Sequence, residues 1–149
     1  MSEIKLYDDT QTYIDMFYTP KITSYEFLKS FFAELYSQNV TKISRDLSEF
    51  FYSLKNNPKY NVLLREIHFR SNGIFKYSNE IEDDILTLQN MGLLGKKNPS
   101  FGIIFIEFNT DIVAETLGAL SSEFRPLIKE IANLYRSEEK KREETIANL

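Results

Sequence analysis

The chain has no cysteine, no tryptophan and one histidine, with five glycines and four prolines in 149 residues. Without cysteine there are no disulfide scaffolds, no thiol catalysis and no Cys-based zinc sites. His68 has no second imidazole to share a metal with, and between Ile67 and Phe69 it reads as a packing residue rather than a general base. The glycines at 73, 92, 95, 102 and 118 form no phosphate-cradling loop, and no nucleophile elbow or zinc-helix motif occurs. No apolar run approaches the roughly 18 residues that span a bilayer. Glu3, Lys5, Asp8, Asp9 and Asp15 interrupt the first twenty positions, so no signal-peptide core is expected there. Basic blocks are absent too, and the formal net charge is -4, which disfavours non-specific nucleic-acid binding. These absences point to a cytoplasmic, non-enzymatic protein with no cofactor, no metal and no membrane partner.

What the chain does have is ordinary globular material: 42% hydrophobic and 27% charged residues, enough to bury one core without staples. Twelve Phe and nine Tyr are available either to that core or to a partner-facing surface. Periodicity predicts a single, mainly α domain with a small β wing over 1–149. An arm covers 1–22, a helical core 23–108 and C-terminal helices 109–149.

Phe27, Leu28, Phe31, Phe32, Leu35 and Tyr36 predict a helix over 23–38, and Ile43, Leu47, Phe50, Phe51 and Leu54 a second over 41–54. Pro58 suits the first turn of a third helix over 58–69, built on Val62, Leu63, Leu64 and Ile67. A turn at Ser71-Asn72-Gly73 and a short strand over 74–77 come next. Ile81, Ile85, Leu88 and Met91 mark a helix from about Asn79, which Gly92 stops. Beyond it, Gly95-Lys96-Lys97-Asn98-Pro99-Ser100 reads as a turn and 101–108 as a strand, together a wing. Helix returns from Thr110 to about Arg142, with a split expected near Ser121-Ser122 ahead of Pro126.

Three groups of residues are candidates for function. Glu80, Glu82, Asp83 and Asp84 open the 79–91 helix; successive helical residues point about 100° apart and do not converge on a cation. Acids in a first turn are stabilised by the helix dipole, and Asn79 with Glu82 fits a capping arrangement. The same acids also suit a basic surface on a partner protein. Lys96 and Lys97, at the wing tip, suit a phosphate backbone or a plain solvated loop, and Arg65, Arg70 and Lys76 would add to such a patch if folding brought them near. Val113, Leu117, Leu120, Phe124, Leu127, Ile131 and Leu134 recur at heptad spacing and suit either a helical hairpin packed on its own domain or a dimer seam.

The run Ile85-Leu86-Thr87-Leu88-Gln89-Asn90-Met91-Gly92-Leu93-Leu94, followed by the wing, resembles the second half of a winged helix. The resemblance implies a degenerate winged-helix-like domain followed by a C-terminal helical hairpin. The usual preceding helix has no room just before Asn79, so either the 41–54 helix takes its place or the helix-turn-helix is degenerate. In a DNA-reading member this helix would enter the major groove. Here its start is acidic, and duplex DNA carries about one negative charge per 1.7 Å of axis. Gly92-Leu93-Leu94, a strand, then Glu115-Thr116-Leu117-Gly118-Ala119-Leu120-Ser121-Ser122-Glu123-Phe124 and a helix through Tyr135 are similar to middle components of bacterial ABC-three-component (Lamassu-type) defence systems. That resemblance implies an adaptor subunit bridging an SMC-like ABC ATPase and an effector in antiviral or anti-plasmid defence, with DNA contact only weak or through the complex. The alternative is a winged-helix transcription regulator that dimerises through 113–134 and touches DNA with Lys96 and Lys97.

Overall fold

Phe27, Leu28, Phe31, Phe32 and Leu35 are completely buried because the rest of the chain packs around the middle of helix α1 (Ser24–Ser37), whose ends stay exposed at Glu26 and Ser37. The fold is seen in a computed structural model, which describes residues 21–44, 46–95 and 102–148. The arm read over 1–22 therefore lies outside the described residues except for its last two, of which Ile22 is buried. Thr23 caps α1, accepting a hydrogen bond from the Glu26 amide at 3.0 Å while its hydroxyl donates to the Glu26 carboxylate, also at 3.0 Å. At the other end Asn39 takes φ 66°, the left-handed region that asparagine tolerates. The Val40 amide then reaches back to the Leu35 carbonyl at 3.0 Å, which turns the chain out of the helix.

The segment after α1 differs from the predicted helix over 41–54. Strand β1 (Lys42–Ser44) comes first, and helix α2 is shorter, Ser48–Lys55. Ile43 fits both patterns, but Lys42, Ile43 and Ser44 alternate in exposure, and Ile43 pairs with Ile104 in the antiparallel strand β4 (Ile103–Phe105). On its far side β4 continues into a bridge between Ile106 and Leu94, with the Glu107 amide bonding the Leu93 carbonyl at 2.8 Å. The β4 segment thus lies between β1 and residues 93–95, the foot of the wing, while the wing turn 96–101 lies outside the described residues.

The helix predicted over 58–69 is a single 3-10 turn, Asn61–Leu64. Tertiary contacts take the backbone groups that would have extended it. The Lys55 ammonium donates to the Ile67 carbonyl, and the His68 amide donates to the Glu80 carboxylate. The chain then makes the hairpin β2 (Arg70–Ser71) and β3 (Lys76–Tyr77). Helix α3 runs Asn79–Asn90, and its cap is Ser78 rather than Asn79. The Ser78 side chain is fully buried and accepts from the Ile81 amide. Ile81, Ile85 and Leu88 face α1, whereas Met91, expected on that stripe, is 54% exposed. Gly92 at φ 79° ends α3, and the Leu93 amide closes on the Leu88 carbonyl at 3.0 Å.

The expected split near Ser121-Ser122 separates α4 (Thr110–Gly118) from α5 (Phe124–Ala147). Pro126 occupies the third position of α5, where the missing N–H has no intrahelical acceptor in any case. Both helices lie chiefly against α1. Helices α1, α2 and α5 meet in an aromatic cluster. Phe31 sits edge-on to Phe51 at 5.1 Å and to Tyr135 at 5.7 Å, and Phe50 meets Tyr135 at 5.3 Å. The chain is mainly α with a small β wing.

Candidate functional site

The four acids at the start of α3 serve different ends. Glu80 turns back to the exposed His68, accepting from its amide at 2.5 Å and its ring at 3.0 Å. Partial burial pushes its carboxyl up, but those hydrogen bonds outweigh it and hold the group below the usual carboxylate range. Asp84 is half-buried beside the start of α1. Burial raises its pKa, a hydrogen bond from the Ser24 side chain opposes the rise, and the charges of Asp83, Glu80 and Glu66 add to it. Its Oδ2 is enclosed and accepts no hydrogen bond among the described residues. Neighbouring Tyr25 is raised by burial and by Asp84, and its hydroxyl donates to the Met91 sulfur at 2.9 Å. Glu82 and Asp83 are exposed. Glu80 and Asp84 are thus partly buried, whereas Glu82 and Asp83 are exposed.

Among the described residues no three His, Asp or Glu side chains group closely enough to hold a metal ion, and no helix is long and apolar enough to cross a membrane.

Lys96 and Lys97, offered by the sequence as phosphate contacts, lie outside the described residues. Of the cations expected to add to such a patch, Arg65 and Arg70 are exposed and the Lys76 ammonium sits 4.8 Å over the Tyr52 ring. Of the heptad-spaced residues, Val113, Leu117, Phe124 and Ile131 belong to the chain's own core, Leu120 and Leu127 pack partly against it, and Leu134 is 38% exposed. Val113, Leu117 and Leu120 also line an open groove of about 770 Å³ with Ala114 and Pro126. The seam is therefore mostly an internal one.

The strand predicted over 74–77 hid a surface feature. Ser71 pairs with Lys76, so the hairpin loop has four residues, Asn72 to Phe75, and Ile74 and Phe75 fall in the turn. They are 81% and 60% exposed. The Asn72-Gly73 pair was the available signal, since it is a strong hairpin marker between apolar runs. A two-residue turn there would instead have paired Ser71 with Ile74.

Compared with known proteins, the chain matches no family model, no curated protein and no solved structure.

Proposed function

We propose that the chain is a non-enzymatic adaptor that binds other proteins, built on a winged-helix-like frame. The order α1, β1, α2, α3, wing foot, β4, with β4 between β1 and the wing foot, supports the likeness. In that likeness α2 takes the place of the helix preceding the reading helix, and residues 56–78 are an insertion between the two.

The observation that carries the reading is the outward face of α3. A DNA-reading winged helix would put this helix into the major groove. Here it exposes Glu82 and Asp83, and residues 77–95 contain no Lys or Arg at all. Phosphates are repelled by such a face, whereas a basic protein surface is attracted to it. Leu86 and Met91, both more than half exposed, add apolar contact to the same helix. The similarity of the Gly92-Leu93-Leu94 and 115–124 segments to ABC-three-component middle subunits supplies the setting: a cytoplasmic prokaryotic complex in which the chain bridges an SMC-like ATPase and an effector. Purifying the tagged chain from its native host tests this. A stoichiometric ATPase and effector are the expected companions. A chain that comes down alone with duplex DNA, released steeply by added salt, would replace the adaptor with a regulator.

A further inference from the structure

Residues 67–78 carry Arg70 and Lys76 but no carboxylate, in a chain whose net charge is negative. Their hairpin is firmly held. The Lys76 amide donates to the Glu49 carboxylate at 2.8 Å, Tyr52 meets Phe69 edge-on at 5.5 Å, and β3 packs on α2. Its turn is fixed as well. The Asn72 side chain accepts from the Phe75 amide at 2.9 Å and the Ile74 amide at 3.3 Å, the Ser71 hydroxyl accepts from Gly73, and Gly73 takes φ 100°. A pinned turn that holds Ile74 and Phe75 in water has the form of an apolar anchor whose ordering cost is already met. Such exposure is unfavourable unless something covers it.

The complementary surface is on the same chain. The outward face of α3 offers Leu86, 56% exposed, one helical turn from Glu82 and Asp83. One patch is apolar and cationic, the other apolar and anionic. Within the chain neither patch covers the other, since Ile74, Phe75 and Leu86 are all more than half exposed, but a second copy can supply that face. Hairpin-to-hairpin contact would oppose Arg70 and Lys76 to their own copies, and duplex DNA would meet the acids that come immediately after in sequence.

We propose that the β2–β3 hairpin of one copy docks on the outward face of α3 in a second copy, with Ile74 and Phe75 against Leu86 and Arg70 facing the acids at 82 and 83. About a two-fold axis the contact is made twice. This rests on the protein-binding reading of the α3 face and names one occupant for it. Self-docking and a foreign basic surface use the same face, so they compete for it, and a partner displaces the second copy.

Sedimentation velocity of the full chain, from micromolar to hundreds of micromolar concentration at low salt, tests the proposal. The wild type should move towards dimer mass as concentration rises. Phe75→Ser should remain monomeric, and Arg70→Asp or Asp83→Arg should each weaken association by about tenfold, the loss of one good interface contact. Combining Arg70→Asp with Asp83→Arg should recover part of that loss. All three side chains lie on the surface, and circular dichroism serves to check that the variants fold. A wild type that stays monomeric, a dimer indifferent to Phe75→Ser, or a combined variant no better than the single ones overturns the proposal. A monomer that still loses a foreign partner when Glu82 and Asp83 are reversed overturns self-docking alone and leaves the adaptor reading standing.

Discussion

Replacing Asp84 by Asn should stabilise the protein near neutral pH, although it removes a carboxylate from the first turns of a helix. Asp84 is half-buried, with Asp83, Glu80 and Glu66 near enough to raise its pKa, and only the Ser24 side chain opposes them. Its enclosed Oδ2 accepts no hydrogen bond among the described residues. Leaving a buried polar atom unpaired costs about 1–3 kcal/mol, and more when it is charged, so the isosteric amide keeps the neutral part of that cost and loses only the charged part. Because the residue is only partly buried, about 1 kcal/mol is the appropriate scale, and the neutral amide escapes the repulsion from the neighbouring acids. The raised pKa sets the sign with pH. Between the ordinary aspartate value and the raised one, the folded state binds more protons than the unfolded state. The wild type therefore loses stability as pH rises through that window. Glu80, whose pKa is lowered, works the other way: its contribution is present above the ordinary glutamate value and fades as pH falls through the folded one. The difference between wild type and Asp84→Asn isolates the Asp84 part. Urea unfolding in a series of acidic to neutral buffers should show the variant's advantage growing from nothing at low pH to about 1 kcal/mol at neutrality. A variant less stable than wild type at neutral pH, or a difference that does not change with pH, would refute the reasoning.

The fold carries two further stability outcomes. Gly92→Ala places a Cβ where nothing lies within 4 Å, so only the left-handed backbone at φ 79° is penalised. The loss should be about 1–2 kcal/mol by urea unfolding, and an unchanged midpoint would mean that α3 ends differently. Phe31→Ala empties the centre of the aromatic cluster, where Phe31 meets Phe27, Phe32, Phe50, Phe51 and Tyr135. It should cost about 3–5 kcal/mol, and a loss below about 2 kcal/mol would show that the cluster collapses around the gap.

The helices were legible where local pattern and burial agree. The predicted 23–38 segment is α1 to within a residue at each end, because Thr23 caps it and apolar residues recur throughout. Gly92 and the break ahead of Pro126 announced their roles by residue type alone. Ile43 was ambiguous because one buried isoleucine fits a helix stripe as well as a strand, and only pairing with Ile104 decides between them. Residues 60–67 carry a helix-like spacing that long-range bonds from Lys55 and Glu80 override. The acids at 80–84 look alike in sequence. Their division into a partly buried pair and an exposed pair depends on His68 and Ser24, twelve and sixty residues away along the chain, so no local rule reveals it.

The central claim, that the outward face of α3 binds protein, is tested most directly by purifying tagged wild type and the Glu82→Lys, Asp83→Lys variant side by side from the native host. The amount of each copurified protein per tagged chain is the measured quantity. The account predicts a stoichiometric companion with the wild type that falls by about tenfold with the variant, the loss of an interfacial charge contact. A companion retained equally by both would contradict it.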